Sequence, residues 1–187
     1  REQTAPKHHL AHAAAAGMAL SHAAEWLLDN FYVVEQALHL IQDDLPECFY
    51  RQLPILAGDS PAREYPRVYA LAHAFVAHEQ CEVEISQLQD FVRAYQQTQP
   101  LTMGEVWALP LMVRLHLLEH LAQGVRAVLQ RETDGAMSQH PGLDDHDHVS
   151  AAIPSLRRLD STDWQAYFEA VSLVDQTLRQ DPAQVYS

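Results

Sequence analysis

Apolar residues return every three or four positions through most of this chain, with polar residues filling the intervals. Leu27, Phe31, Val34, Leu38, Ile41 and Leu45 advance by alternating steps of four and three. That spacing puts them on one face of a helix from about Ser21 to Asp44, which Pro46 ends. Pro66 suits a first helical turn, and Val68, Leu71, Ala72, Phe75 and Val76 continue a second helix to about Glu79. Ser86 and Gln89 have capping-box spacing ahead of a third helix marked by Leu88, Phe91, Val92 and Tyr95. Thr102 and Glu105 form a second such box and open a long helix to about Gln130, expected to kink near Pro110, which lacks an amide donor. A shorter helix is expected over about Ser150 to Leu159. A final one, capped by Asp160 or Ser161, carries Trp164, Phe168, Val171, Val174 and Leu178 on one face until Asp181-Pro182.

No segment alternates with a period of two, and no hairpin dipeptide separates two apolar runs. The expected class is therefore all-α, an antiparallel bundle or array of about six helices within one domain over residues 1–187. Residues 1–15 and 132–148 are expected to be flexible, the second stretch being rich in Gly, Asp, His and Ser.

Charge narrows the partners. Twelve Lys and Arg stand against 25 Asp and Glu, a formal charge of −13, and the bases do not cluster. A nucleic-acid backbone or an anionic membrane surface would be repelled, so no nucleic-acid partner is expected. The longest apolar run, Val106 to Val113, falls far short of the roughly 20 residues of a membrane span. Cys48 and Cys81 have no CxxC spacing and fit a reducing compartment or simple packing, with a bridge between them left open. Lys7, His8, His9 and the following alanines faintly imitate a signal peptide. His12 interrupts them, however, and the chain starts at Arg1, so it reads as a fragment of something longer.

Several motifs carry potential chemistry, and most have a plainer explanation. His8 and His12 are one helical turn apart, but no carboxylate or Cys completes a ligand set. Asp145-x-Asp147 has the pattern that holds a cation against a pyrophosphate in sugar-nucleotide transferases, yet here it falls in an expected loop between helices rather than at a strand end. Glu25 and Asp29 are paired carboxylates on one helix, and nothing in the sequence supplies a perturbing pocket. No GxSxG frame exists. Trp26, Trp107 and Trp164 lie on apolar stripes, where core packing is favoured over stacking on a sugar. Arg67, Arg114, Glu105, Glu119 and Glu169 border those stripes and are expected to pair between helices.

Three blocks add what periodicity does not carry. They are AEWLLDNFYVVEQAL with LPILAGDSPAREYPRVYALAHAFVAH, then FVRAYQQTQPLTMGEVWALPLMVRLHLLEHL, then IPSLRRLDSTDWQAYFEAVSLVDQTLRQDPAQVY. In that order they resemble the N-terminal region of the cyclic β-1,2-glucan synthases, the NdvB/ChvB-type glycosyltransferases of the bacterial inner membrane. The resemblance spans about Ala24 to Tyr186 and is poorest over Glu132 to Val149, where the family has a longer helical arm. It implies a module on the cytoplasmic side of the inner membrane, ahead of a domain that polymerises glucose from UDP-glucose with a divalent cation.

The QxxRW-type transferase signature and the alternating strand and helix pattern of a nucleotide fold are absent from this stretch. The expected role is thus a non-catalytic scaffold or regulatory module packing on the transferase and membrane portions of the same polypeptide, with no cofactor and no metal site of its own. The alternative is a module that binds β-1,2-glucan or holds a primer. An independent carbohydrate-active helical enzyme ranks third, since it needs two carboxylates converging in a cleft. Candidate sugar or domain contacts are Trp26, Asp29, Asn30, Tyr65, Arg67, Glu105, Trp107, Trp164 and Glu169.

Overall fold

A computed structural model of the chain describes residues 27–56, 65–133 and 143–179, with backbone alone over 128–133, 143–150 and at 179. The fold is all-α. Its helices are α1 (Phe31–Asp44), α2 (Glu47–Tyr50), α3 (Arg67–His78), α4 (Ile85–Gln96), α5 (Met103–Thr133), α6 (Leu143–Asp160), α7 (Trp164–Val171) and α8 (Leu173–Arg179). Among the described residues the only extended pairing is a single antiparallel bridge between Ile55 and Pro66, which pins the chain just before α3.

Helix α5 is the axis of the molecule, packing against α1, α3, α6 and α7. Val106, Leu109, Met112, Val113, Leu117 and Leu121 are all buried along it, so the helix is apolar on more than one side and is covered accordingly. Ile153, Leu156 and Leu159 of α6, Phe75 and Val76 of α3, and Val33 and Ala37 of α1 close the same core. The expected capping box is present: the Glu105 amide donates to Thr102 Oγ1 at 3.2 Å, and the Thr102 amide donates back to Glu105 Oε2 at 2.9 Å. Pro110 lies inside this helix, where its missing amide leaves one rung of the ladder unmade.

Elsewhere the elements depart from the periodic reading. The first helix is interrupted at Asn30, which sits at φ −105° and ψ 7°, in the bridge region, before α1 begins. α4 starts at Ile85 after an extended Glu84, so Ser86 lies inside it and caps nothing. α6 starts at Leu143, several residues before the expected Ser150, and Asp145-x-Asp147 is therefore helical rather than looped. Asp163, not Asp160 or Ser161, caps α7 by accepting from the Ala166 amide at 3.1 Å. The last helix is broken at Ser172 (ψ 116°), whose Oγ accepts from the Asp175 amide at 3.1 Å and opens α8. These breaks, with the short α2, raise the helix count above the expected six.

Among the described residues, backbone strain is concentrated in the turn between α3 and α4. Gln80 and Cys81 both take positive φ, 50° and 67°, where a side chain is disfavoured. Residues of α6 hold it: Ser155 Oγ donates to the Cys81 carbonyl at 2.7 Å and accepts from the Val83 amide at 2.9 Å, and Arg158 donates to the Val83 carbonyl at 2.7 Å. Cys48 and Cys81 are both free thiols. Among the described residues no helix is long and apolar enough to cross a membrane.

Candidate functional site

Met103, Trp107, Pro110, Leu111 and Arg114 are spaced so that they share one face of α5, and that face forms the floor of an open groove of about 900 Å³. One wall comes from Gln36, Leu40, Asp43 and Asp44 of the C-terminal part of α1, Pro46 of the turn after it and Phe49 of α2. The other comes from Asp160 at the end of α6 and from Trp164 and Phe168 of α7. The floor is apolar and the rim acidic.

Trp107 stands out within it. Its residue surface is 53% exposed although the ring is bulky and apolar, and its position on an apolar stripe had suggested the core. The indole is not loose: it stacks on Phe168 with ring centroids 3.9 Å apart and planes 28° from parallel. Phe168 in turn meets Tyr167 edge-on at 5.5 Å and Trp164 at 6.3 Å. One face of Trp107 is thus braced by an aromatic stack, which leaves the exposure to the other.

Arg114 is the cation among the groove residues, and its charge is committed. It is 4% exposed, donates to the Leu159 carbonyl at 3.0 Å, pairs with Asp160 at 3.4 Å and lies over the Trp164 ring at 5.2 Å from its centroid. Burial pushes its pKa down while Asp160, and then Asp44, hold it up. Its Nε finds no partner among the described residues, a desolvation cost that the fold carries beneath the groove.

Two other polar clusters sit beneath helix α3. Glu105 is completely buried and its carboxylate receives Arg67 at both oxygens, Nε at 2.8 Å and Nη2 at 2.7 Å, together with the Thr102 amide and hydroxyl at 2.9 and 3.0 Å. Burial raises its pKa, but the Arg67 and Thr102 hydrogen bonds outweigh burial and hold it below the ordinary carboxylate range. Arg67 also reaches the Pro100 carbonyl at 3.1 Å, tying the α4–α5 connection to α3. His116, buried on α5, contacts the Tyr69 carbonyl at 3.0 Å and Glu119 at 2.9 Å, and burial lowers its pKa. These bonds tie the buried acid and base to structural partners rather than presenting them in a cleft.

The candidate contacts read from sequence therefore separate. Trp107 and Trp164 meet in the groove. Arg67 and Glu105 form the buried pair, as expected for charges between helices. Tyr65 is 44% exposed and stacks on Tyr69 at 4.6 Å, away from the groove lining. Asn30 accepts from Arg157, Asp29 is exposed, and Glu169, also exposed, accepts from Gln165 of its own helix at 3.1 Å. Trp26 and Glu25 lie outside the described residues, as do His8 and His12, and the side chains of Asp145 and Asp147 are not described. Sequence reasoning passed over Asp43, Asp44, Phe49 and Phe168 as groove residues. The available signal was the α5 spacing, which puts Trp107 and Arg114 two turns apart on one face. Among the described residues, no three His, Cys, Asp or Glu side chains converge as a metal site.

The architecture defines an all-α helical segment presenting an aromatic, acid-rimmed groove, and comparison places that segment in sequence space. The chain is similar to the cyclic beta-(1,2)-glucan synthase NdvB of Rhizobium meliloti (strain 1021), with 30% identity over 237 residues, covering 88% of this chain and 8% of that protein. It thus spans a small part of the relative it matches, and the resemblance to cyclic glucan synthases holds at the level of that segment. The matched stretch is longer than this chain's 187 residues, so the relative carries positions with no counterpart here. No family model matches the chain.

Proposed function

We propose that this chain is a non-catalytic helical module of a membrane-bound cyclic β-1,2-glucan synthase. In this reading it lies ahead of the transferase portion on the cytoplasmic side of the inner membrane, and it packs on the transferase and membrane portions of the same polypeptide. The parent enzyme polymerises glucose from UDP-glucose with a divalent cation, and both belong to the transferase rather than to this module. The observation that carries the reading is the match across 88% of this chain to only 8% of a glucan synthase.

Two physical features support it. Glu105 and Arg114, the buried charges that a catalyst would need free, are held by Arg67, Thr102, Asp160 and Leu159 in bonds that serve the fold. The formal charge of −13 complements the Lys and Arg excess of cytoplasmic loops in membrane proteins.

The test is co-sedimentation of the separate chain with membranes carrying a synthase that lacks this segment. Saturable, salt-sensitive binding above that of membranes without the synthase is expected. Equal recovery with both membranes would overturn the docking role. The groove favours a second reading, in which the module also handles glucan.

A further inference from the structure

We propose that the groove between α1, α5 and α7 is a carbohydrate site that takes a short run of β-linked glucose units, with Trp107 as its stacking platform. The identity of the sugar rests on the glucan-synthase reading; the platform rests on the geometry.

A pyranose in the β-glucose configuration carries its hydroxyls equatorially, so its two faces are lined by axial C–H groups and its edge by hydroxyls. A flat aromatic face suits the first and carboxylate or amide oxygens suit the second. The groove offers both. Trp107 is half exposed and braced from behind by Phe168 at 3.9 Å, so a ligand that covers it immobilises little that is not already fixed. Asp43 and Asp44 are exposed and Gln36 adds an amide, giving acceptors and a donor along the same wall. The volume of about 900 Å³ and the open form leave room for a short run of sugars.

The same rim argues against a sugar nucleotide. A pyrophosphate needs a cation or a row of backbone amides, and Arg114 is buried and already bonded to Leu159 and Asp160. The exposed Asp43 and Asp44 would repel the phosphates instead. The ligand chemistry that remains is neutral, hydroxylated and faced with C–H groups.

The experiment is an NMR titration of the chain with short β-1,2-gluco-oligosaccharides, with UDP-glucose and with a galactose oligomer, following the indole N–H signals. Saturable shifts of the Trp107 signal with the gluco-oligosaccharides are expected below about 10 mM, with weaker response to the galactose oligomer and none to UDP-glucose. W107A should weaken binding at least about tenfold while the chain stays folded, with a melting temperature only a few degrees lower from loss of the Phe168 stack. D43N/D44N should weaken it several-fold with Trp107 intact, a loss that a merely apolar contact would not show. Silence of the Trp107 signal at about 10 mM gluco-oligosaccharide, or a site that prefers UDP-glucose, would overturn the proposal. Either result leaves the docking role to stand or fall by co-sedimentation.

Discussion

Replacing Arg67 by Met removes the two donors that hold the buried Glu105 carboxylate but keeps the apolar stem. Breaking a buried ion pair from one side costs roughly 3–5 kcal/mol, because the surviving charge is left in a poor medium. Thr102 still gives Glu105 two hydrogen bonds and Arg67 is not fully buried, so the lower end, about 3 kcal/mol, is expected. For a domain of this size that lowers the melting temperature by about 10 °C. The pH dependence gives the sharper signature. In the parent chain Glu105 has a depressed folded pKa, so its contribution is full above the unfolded value of about 4.3 and is lost as pH falls through the folded one. Without Arg67, burial, already the largest single influence, is opposed only by the Thr102 bonds and is expected to raise the folded pKa. The variant is then penalised at neutral pH and relieved as the carboxyl protonates on acidification. Urea unfolding followed by circular dichroism between pH 7 and 4 should therefore show the gap between parent and R67M narrowing as pH falls. R67M/E105Q should recover part of the loss at pH 7. A gap below about 1 kcal/mol at pH 7, or one that does not change with pH, would refute the argument.

Other expectations are as concrete. S155A removes the two Ser155 bonds to the turn that follows Gln80, to the Cys81 carbonyl and from the Val83 amide, and of the bonds from α6 leaves only that of Arg158 to Val83; it should cost about 2 kcal/mol in urea unfolding, with faster hydrogen exchange at the Val83 amide. D163A should cost about 1 kcal/mol by loss of the α7 cap, whereas S161A should stay within about 0.5 kcal/mol. Toward a thiol reagent in the native state, Cys48 should react quickly and Cys81 only on unfolding, since Cys48 is exposed and burial pushes the Cys81 thiol up to about 11.

What the sequence made legible was whatever local chemistry decides. The Thr102–Glu105 box, the Pro46 and Pro66 boundaries and the apolar stripe of α5 follow from propensity, missing donors and period. The breaks at Asn30 and Ser172 were hidden because the apolar period runs on across them. Phe168, Val171, Val174 and Leu178 keep helical spacing on both sides of Ser172. The signal that could have revealed the second break was Ser172 with Asp175 three residues on, a cap pattern inside an apparent helix. The start of α6 was misplaced for the opposite reason: Asp144, Asp145 and Asp147 read as a polar loop, yet acids near a helix N-terminus are favoured by its dipole. The groove was least legible. Whether Trp107 faces the core or solvent depends on where α1 and α7 pack against α5, and helical spacing fixes the stripe but not its cover.

The central claim is that this segment serves a glucan synthase without itself transferring glucose, and it is tested most directly by the cyclic glucan formed from UDP-glucose by a synthase lacking the segment, measured before and after the separate 187-residue chain is added. Synthesis impaired by the deletion and restored by the added chain, with the chain alone forming no product, is the predicted result. Full synthesis without the segment, or glucan made by the chain alone, would contradict it.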